Sequence, residues 1–141
     1  MHLTGNRRHA IDAKLRIKLP ADYRREFGSQ VCLLPMGDAV YGFTPEGHEA
    51  FVAQYFPEGF NPRDKHDVRL RRWLNSKTVT VDIDSAGRIC LGKMPEEDRP
   101  TVGEDRQVVL VGNEDHFEVW STRAWEDEAP QPDELESLLF G

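Results

Sequence analysis

At 141 residues and 16.2 kDa the chain holds one modest core, or two small halves that share one. Its formal charge of −7 taken alone argues against nucleic acid, and no apolar run approaches the roughly 18 residues that span a membrane. Arg7 and Arg8 are not followed by an apolar stretch, so the N-terminus does not read as a signal peptide and a cytoplasmic protein is expected.

In chain order, a weakly patterned strand over Leu3 to Ile11 leads into a turn at Asp12. In the next strand Ile17 and Leu19 share one face while Arg16 and Lys18 take the other. Pro20 then opens a short helix in which Tyr23 and Phe27, four apart, lie together, with Arg24 and Arg25 off that face. Val31 to Pro35 and Ala39 to Phe43 form a hairpin around Met36, Gly37 and Asp38. Thr44, Pro45 and Glu46 supply a cap, a first-turn proline and a first-turn acid for a helix whose apolar side is Phe51, Val52, Tyr55 and Phe56. That face suits core packing or contact with a neighbouring subunit.

A second helix is expected from a start at Asn61, with Asp64 three residues on, through Asn75. It places Leu70, Trp73 and Leu74 on one side, and Trp73 is read as a core anchor rather than a stacking platform. Thr78 to Leu91 is strand, tight turn, strand, with Asp84-Ser85-Ala86-Gly87 as the turn. Between Lys93 and Pro100 a short helix has been lost or keeps one turn. Gln107 to Val111 and Phe117 to Trp120 make the last hairpin, Ser121 opens another helical turn or two, and Leu135, Leu138, Leu139 and Phe140 sit in an acidic tail that docks as a helix or frays.

Two of these blocks repeat. Asp12-x-x-x-Arg16-Ile17-x-Leu19 returns as Asp84-x-x-x-Arg88-Ile89-x-Leu91, and the hairpin at Val31 returns at Val108, so one motif is used twice. The halves are each marginal alone and are expected to complete one sheet. Charge is also uneven. Residues 1–27 carry seven basic and three acidic side chains, and residues 63–77 six and two, whereas residues 94–141 carry three and fourteen. Such a molecule can turn a cationic surface to a polyanion while its acidic end stays in solvent.

Catalysis finds little support. Asp82 and Asp84 share a strand face without a nucleophile beside them, the five histidines show no metal-ligand spacing, and no phosphate-binding glycine loop is present. No cofactor, metal site or small-molecule substrate is expected. What remains is an arginine after each turn. Each Asp–Arg pair either closes its own loop, or delivers a guanidinium to phosphates or to a guanine edge in the major groove. Arg7, Arg8, Lys14 and Lys18 favour the first copy as the contacting half.

The two Asp-x-x-x-Arg turns, the basic helix before the second, and the block Leu110-Val111-Gly112 to Phe117-Glu118-Val119-Trp120 together resemble the MraZ family of bacterial transcriptional regulators, over His2 to Trp125. The resemblance implies an α+β fold of tandem AbrB-like (SpoVT-like) domains forming a swapped-hairpin, double-split β-barrel. In this chain that means a first domain at 1–50, a helical connector at 51–77, a second domain at 78–125 and an acidic tail at 126–141. It also implies ring-shaped homo-oligomers, nucleoid association, and binding to direct repeats of double-stranded DNA in the promoter of their own division and cell wall operon. By the same resemblance DNA contact centres on Asp12, Lys14 and Arg16, Arg71 and Arg72 fall where the family is basic, and Arg88, after Asp84, serves DNA or subunit packing.

Two departures touch the first half. His2-Leu3-Thr4-Gly5 keeps the glycine but lacks the arginine usual before it, and Leu15 stands where the family has glycine. If the latter position needs a positive φ, the turn has changed type or presents its arginine differently. The alternative function is an oligomeric protein-interaction module of AbrB-like fold that no longer reads DNA.

Overall fold

A computed structural model describes residues 1–141. The strands are β1 (Asn6–Ala10), β2 (Arg16–Lys18), β3 (Gln30–Met36), β4 (Ala39–Phe43), β5 (Val79–Asp82), β6 (Arg88–Cys90), β7 (Gln107–Gly112) and β8 (Phe117–Ser121). The helices are α1 (Ala21–Arg24), α2 (Pro45–Ala53), α3 (Lys65–Lys77), α4 (Thr122–Glu128) and α5 (Pro132–Phe140), with 3-10 turns at Leu91–Lys93 and Glu96–Asp98 where the second copy of α1 would fall. None is long and apolar enough to cross a membrane.

Six strands make one antiparallel sheet in the order β1-β7-β8-β4-β3-β5, and β2 pairs with β6 as a separate ribbon. Each half's hairpin is therefore flanked by the outer strand of the other half. The registers obey an internal two-fold. Ile17 faces Ile89, its own counterpart in the repeat, and Tyr41 faces Glu118 in the same way.

The expected barrel is not formed. β1 and β5 end the sheet without pairing with each other, because each hands its chain through an Asp turn into the three-residue strands of the ribbon. The ribbon strands pair as a ladder only with one another, so the large sheet stays open at both edges, and the architecture is α+β with two unclosed sheets.

Strand alternation sends side chains to two cores on opposite faces of the large sheet. Val31 and Leu33 join Ile17, Ile89, Tyr23, Leu110 and Phe117 beneath the ribbon and α1, while Cys32 and Leu34 join Phe43, Val52, Phe56 and Leu74 beneath α2 and α3. Phe117 crosses the sheet so closely that a Cβ on Gly42, its cross-strand partner, would lie 2.3 Å from the ring. Both cysteines are free.

The helix side also buries the pair His116 and Glu118. His116 Nε2 lies 2.9 Å from Glu118, Nδ1 lies 2.7 Å from Asp115, and Asn113 and Trp120 donate to Glu118 as well. Burial pushes the imidazole pKa down, but the hydrogen bonds to Glu118 and Asp115 outweigh it and the net displacement is upward.

Two expectations for α3 change. Asp64, not Asn61, is the N-cap, accepting from the backbone of His66 and Asp67, while Asn61 closes a turn onto Arg63. Trp73 is not a core anchor. Leu74 is buried and Leu70 half-buried, but Trp73 is 53% exposed, because the helix meets the sheet through a stripe too narrow to include it. The tail forms α5, and every one of its residues is exposed.

Candidate nucleic-acid interface

Each Asp turn is closed by its own aspartate. Asp12 Oδ1 accepts the backbone N–H of Lys14 (3.0 Å) and Arg16 (2.8 Å), and Oδ2 accepts Arg16 Nε at 2.7 Å. In the second copy Asp84 Oδ1 accepts Ala86 (2.9 Å) and Arg88 (2.8 Å), and Oδ2 accepts Arg88 Nε at 2.9 Å. The backbone N–H bonds of Arg16 and Arg88 first, then their guanidinium groups, outweigh desolvation and hold both carboxyls below the ordinary carboxylate range.

The bond through Nε fixes the arginine's direction without consuming it. A guanidinium has five donors, so Nη1 and Nη2 of Arg16 and Arg88 are left to bind an oxyanion or a base edge. The two side chains are 30% and 35% exposed, enough to be reached and too held to wander. The structural and the functional uses of the pair therefore coexist.

Leu15 has a φ of +63° and its counterpart Gly87 one of +79°. The turn has not changed type; leucine occupies the left-handed conformation that glycine adopts freely, at a cost of roughly 1–2 kcal/mol. Compensation comes from its side chain, which packs against the core beneath the ribbon. The two turns also hold each other: Leu91 N–H donates to the Leu15 carbonyl (2.8 Å) and Leu19 N–H to the Gly87 carbonyl (2.9 Å).

Because Ile17 and Ile89 point inward, Arg16, Lys18, Arg88 and Cys90 point outward from one two-stranded ribbon. Lys18 and Arg88 are direct cross-strand partners. Six of the residues singled out from the sequence, Asp12, Lys14, Arg16, Lys18, Asp84 and Arg88, are thus brought onto one surface. Arg7 shares that side of the large sheet but is engaged, with Nη2 2.9 Å from Asp22 and its guanidinium over the Tyr23 ring. Burial first, and then the nearby charges of Arg7 and Lys18, push His9 below its ordinary pKa.

Arg8, Arg71 and Arg72 are elsewhere. Arg8 points to the opposite sheet face and contacts Glu126 at 3.2 Å, and α3 packs on that same face, with Arg71 stacked on Phe60 at 3.3 Å.

Two arginines not assigned from the sequence bear on the turns. Arg24 Nη1 lies 3.1 Å from where a Cβ on Gly87 would be, beside the second turn. Arg106 Nη2 donates to the Asp12 carbonyl at 2.9 Å and braces the first, together with Cys90 Sγ on the Lys14 carbonyl at 3.3 Å. Placing Arg24 off the apolar face of α1 was the one available signal; for Arg106, 94 residues from its partner, there was none.

Residues 74–137 match the family described as "MraZ protein, putative antitoxin-like". The chain is 32% identical over 132 residues to the transcriptional regulator MraZ of Ligilactobacillus salivarius, covering 92% of this chain and 88% of that one. To the transcriptional regulator MraZ of Mycoplasmopsis pulmonis it is 30% identical over 142 residues, covering 99% and 94%.

Proposed function

The chain belongs to the MraZ family of transcriptional regulators, which are not enzymes, and from that premise we propose that it reads direct repeats in double-stranded promoter DNA, those of its own division and cell wall operon, through the β2–β6 ribbon. The observation that carries this reading is the pair of Asp-held arginines mounted on one ribbon with their Nη groups free. A two-stranded ribbon fits the major groove, about 12 Å wide, and an outward guanidinium there can bond guanine bidentately or neutralise a phosphate. Lys14, Lys18 and Arg7 add charge along the same side, while the acidic C-terminal segment is attached on the other.

A single ribbon offers few contacts. Homo-oligomers, in a ring, would set several ribbons against successive repeats and multiply the affinity of one. Arg8 and Arg71 enter this reading as contacts presented by a second copy, since a duplex on one chain's ribbon lies across the sheet from them, as it does from Arg72. The protein works in the cytoplasm, associated with the nucleoid.

Binding of the purified protein to its upstream promoter DNA across a salt series, with scrambled DNA of equal length as control, tests the reading. Tight, salt-sensitive binding with preference for the promoter is expected, and each arginine removed from a phosphate should lower the salt slope by about 1. Equal weak binding to both DNAs, or none, would refute it in favour of a protein-interaction module.

A further inference from the structure

The helix side of the molecule carries two charged surfaces that nothing in the chain neutralises. On α3, Lys65, Arg69 and Arg72 follow one another at helical spacing, all exposed, and none makes an ion pair; the only ion pairs on that helix involve His66 and Lys77. Two shallow grooves flank this row, one lined by Val68, the other by Leu70 and the exposed ring of Trp73. On α5 the pattern is inverted. Leu135, Leu138 and Leu139 form a stripe, 46%, 77% and 66% exposed, flanked on one edge by Glu134 and on the other by Glu136, neither of which has a basic neighbour.

A nine-residue helix with such a stripe is marginal in water on its own and takes its stability from packing. The surface that fits it sets a row of cations beside an exposed indole, as α5 sets a carboxylate beside its leucines. We propose that α5 of one copy docks on the α3 row of a second copy, its leucines over Trp73 and Leu70 and the carboxylate on the flank that faces the row, Glu134 or Glu136 according to the direction of the helix, against Arg69 and Arg72. The helix does not meet α3 of its own chain, since every residue from Gln131 to Gly141 stands in solvent. Donor and acceptor surfaces differ, so the contact is heterologous: each copy gives one helix and receives one, and the assembly grows head to tail until it closes. It also leaves the ribbon, on the other face of the sheet, free for DNA.

This contact rests on the homo-oligomer reading above, and charge exchange in the full-length protein separates the two. Sedimentation velocity over a concentration series would compare the native chain with Glu134→Lys/Glu136→Lys, with Arg69→Glu/Arg72→Glu, and with all four changes together. All four positions are exposed, so the fold tolerates them. Each double reversal is expected to raise the concentration for half-assembly by about tenfold or more, and the fourfold variant to return it to within about threefold of the native value. Leu138→Ser, which alters no charge, should also weaken assembly. Silent reversals, or a fourfold variant that fails to recover, overturn the contact while assembly of the native chain stands. A native chain that stays monomeric throughout removes the homo-oligomer reading as well. An α3 reversal that leaves assembly intact but weakens promoter binding would give the row to DNA and overturn the proposal.

Discussion

The two Asp turns make the same hydrogen bonds from different materials. The second uses Gly87, whose φ of +79° costs nothing, and needs no further support. The first holds Leu15 at +63° and is tied down from outside, by the Arg106 guanidinium on the Asp12 carbonyl, by Cys90 on the Lys14 carbonyl, and by the core that receives the leucine side chain. A backbone conformation can thus be imposed by its surroundings when its own residue resists it. Cations are arranged the other way. The second turn has Lys18 across the ladder from Arg88 and Arg24 beside Gly87, whereas the first has Cys90 opposite Arg16. The glycine turn is held only by the Leu19 N–H on the Gly87 carbonyl and keeps Lys18 and Arg24 beside its arginine; the leucine turn is held at three further points and keeps Lys14, its Arg106 being spent on the Asp12 carbonyl.

That contrast can be broken at several points. The largest effect is expected from Arg88→Ala, which should weaken promoter binding by about ten- to a hundredfold, more than Arg16→Ala does. Anisotropy titrations of both variants at one salt concentration decide it, and equal losses would mean that the surrounding cations do not matter. Gly87→Leu should destabilise by about 1–2 kcal/mol in chemical denaturation, since it imposes the left-handed penalty and crowds Arg24 without a brace. Leu15→Gly, by contrast, should change stability by less than about 1 kcal/mol, relief of strain offsetting lost packing and the entropy of glycine. Arg24→Gln should leave the fold intact and weaken promoter binding about threefold, by removing one cation beside the second turn.

The smallest effect at working pH comes from the aspartates. Their folded pKa values lie below the ordinary 3.8, so the stability they contribute is fully present above that range and is lost as pH falls through the lowered folded values. Thermal unfolding between pH 8 and 5 should therefore be indifferent to Asp84→Asn as a pH-dependent term, with the native chain losing its advantage only below about pH 4.

Much of the candidate surface could be read from one line of sequence, since an aspartate that accepts from residues two and four positions ahead does so whatever the rest of the chain does. Arg16 and Arg88 were legible for that reason, and so were the hairpins, the cap at Thr44 and the helix start at Ser121. Trp73 was misplaced because helical spacing puts it beside Leu74, and how wide a stripe is buried depends on the sheet beneath. Leu15 left two outcomes open, a different turn or a differently presented arginine. The turn kept its type, because bonds spanning 76 and 94 residues hold the leucine in a conformation it does not choose.

The sequence by itself determined the repeat, the strand and turn positions, and the aspartate–arginine pairs, because these follow from side-chain alternation and from bonds that reach only a few residues. Only the tertiary structure decided that the sheets stay open rather than closing into a barrel, that both arginines share one ribbon, and that α3 and α5 carry unmatched charge on the opposite side. Apolar alternation marks which residues of a strand are buried but is the same for a closed barrel and an open sheet; whether β1 and β5 pair is settled by where each chain segment can leave the sheet and what it then meets.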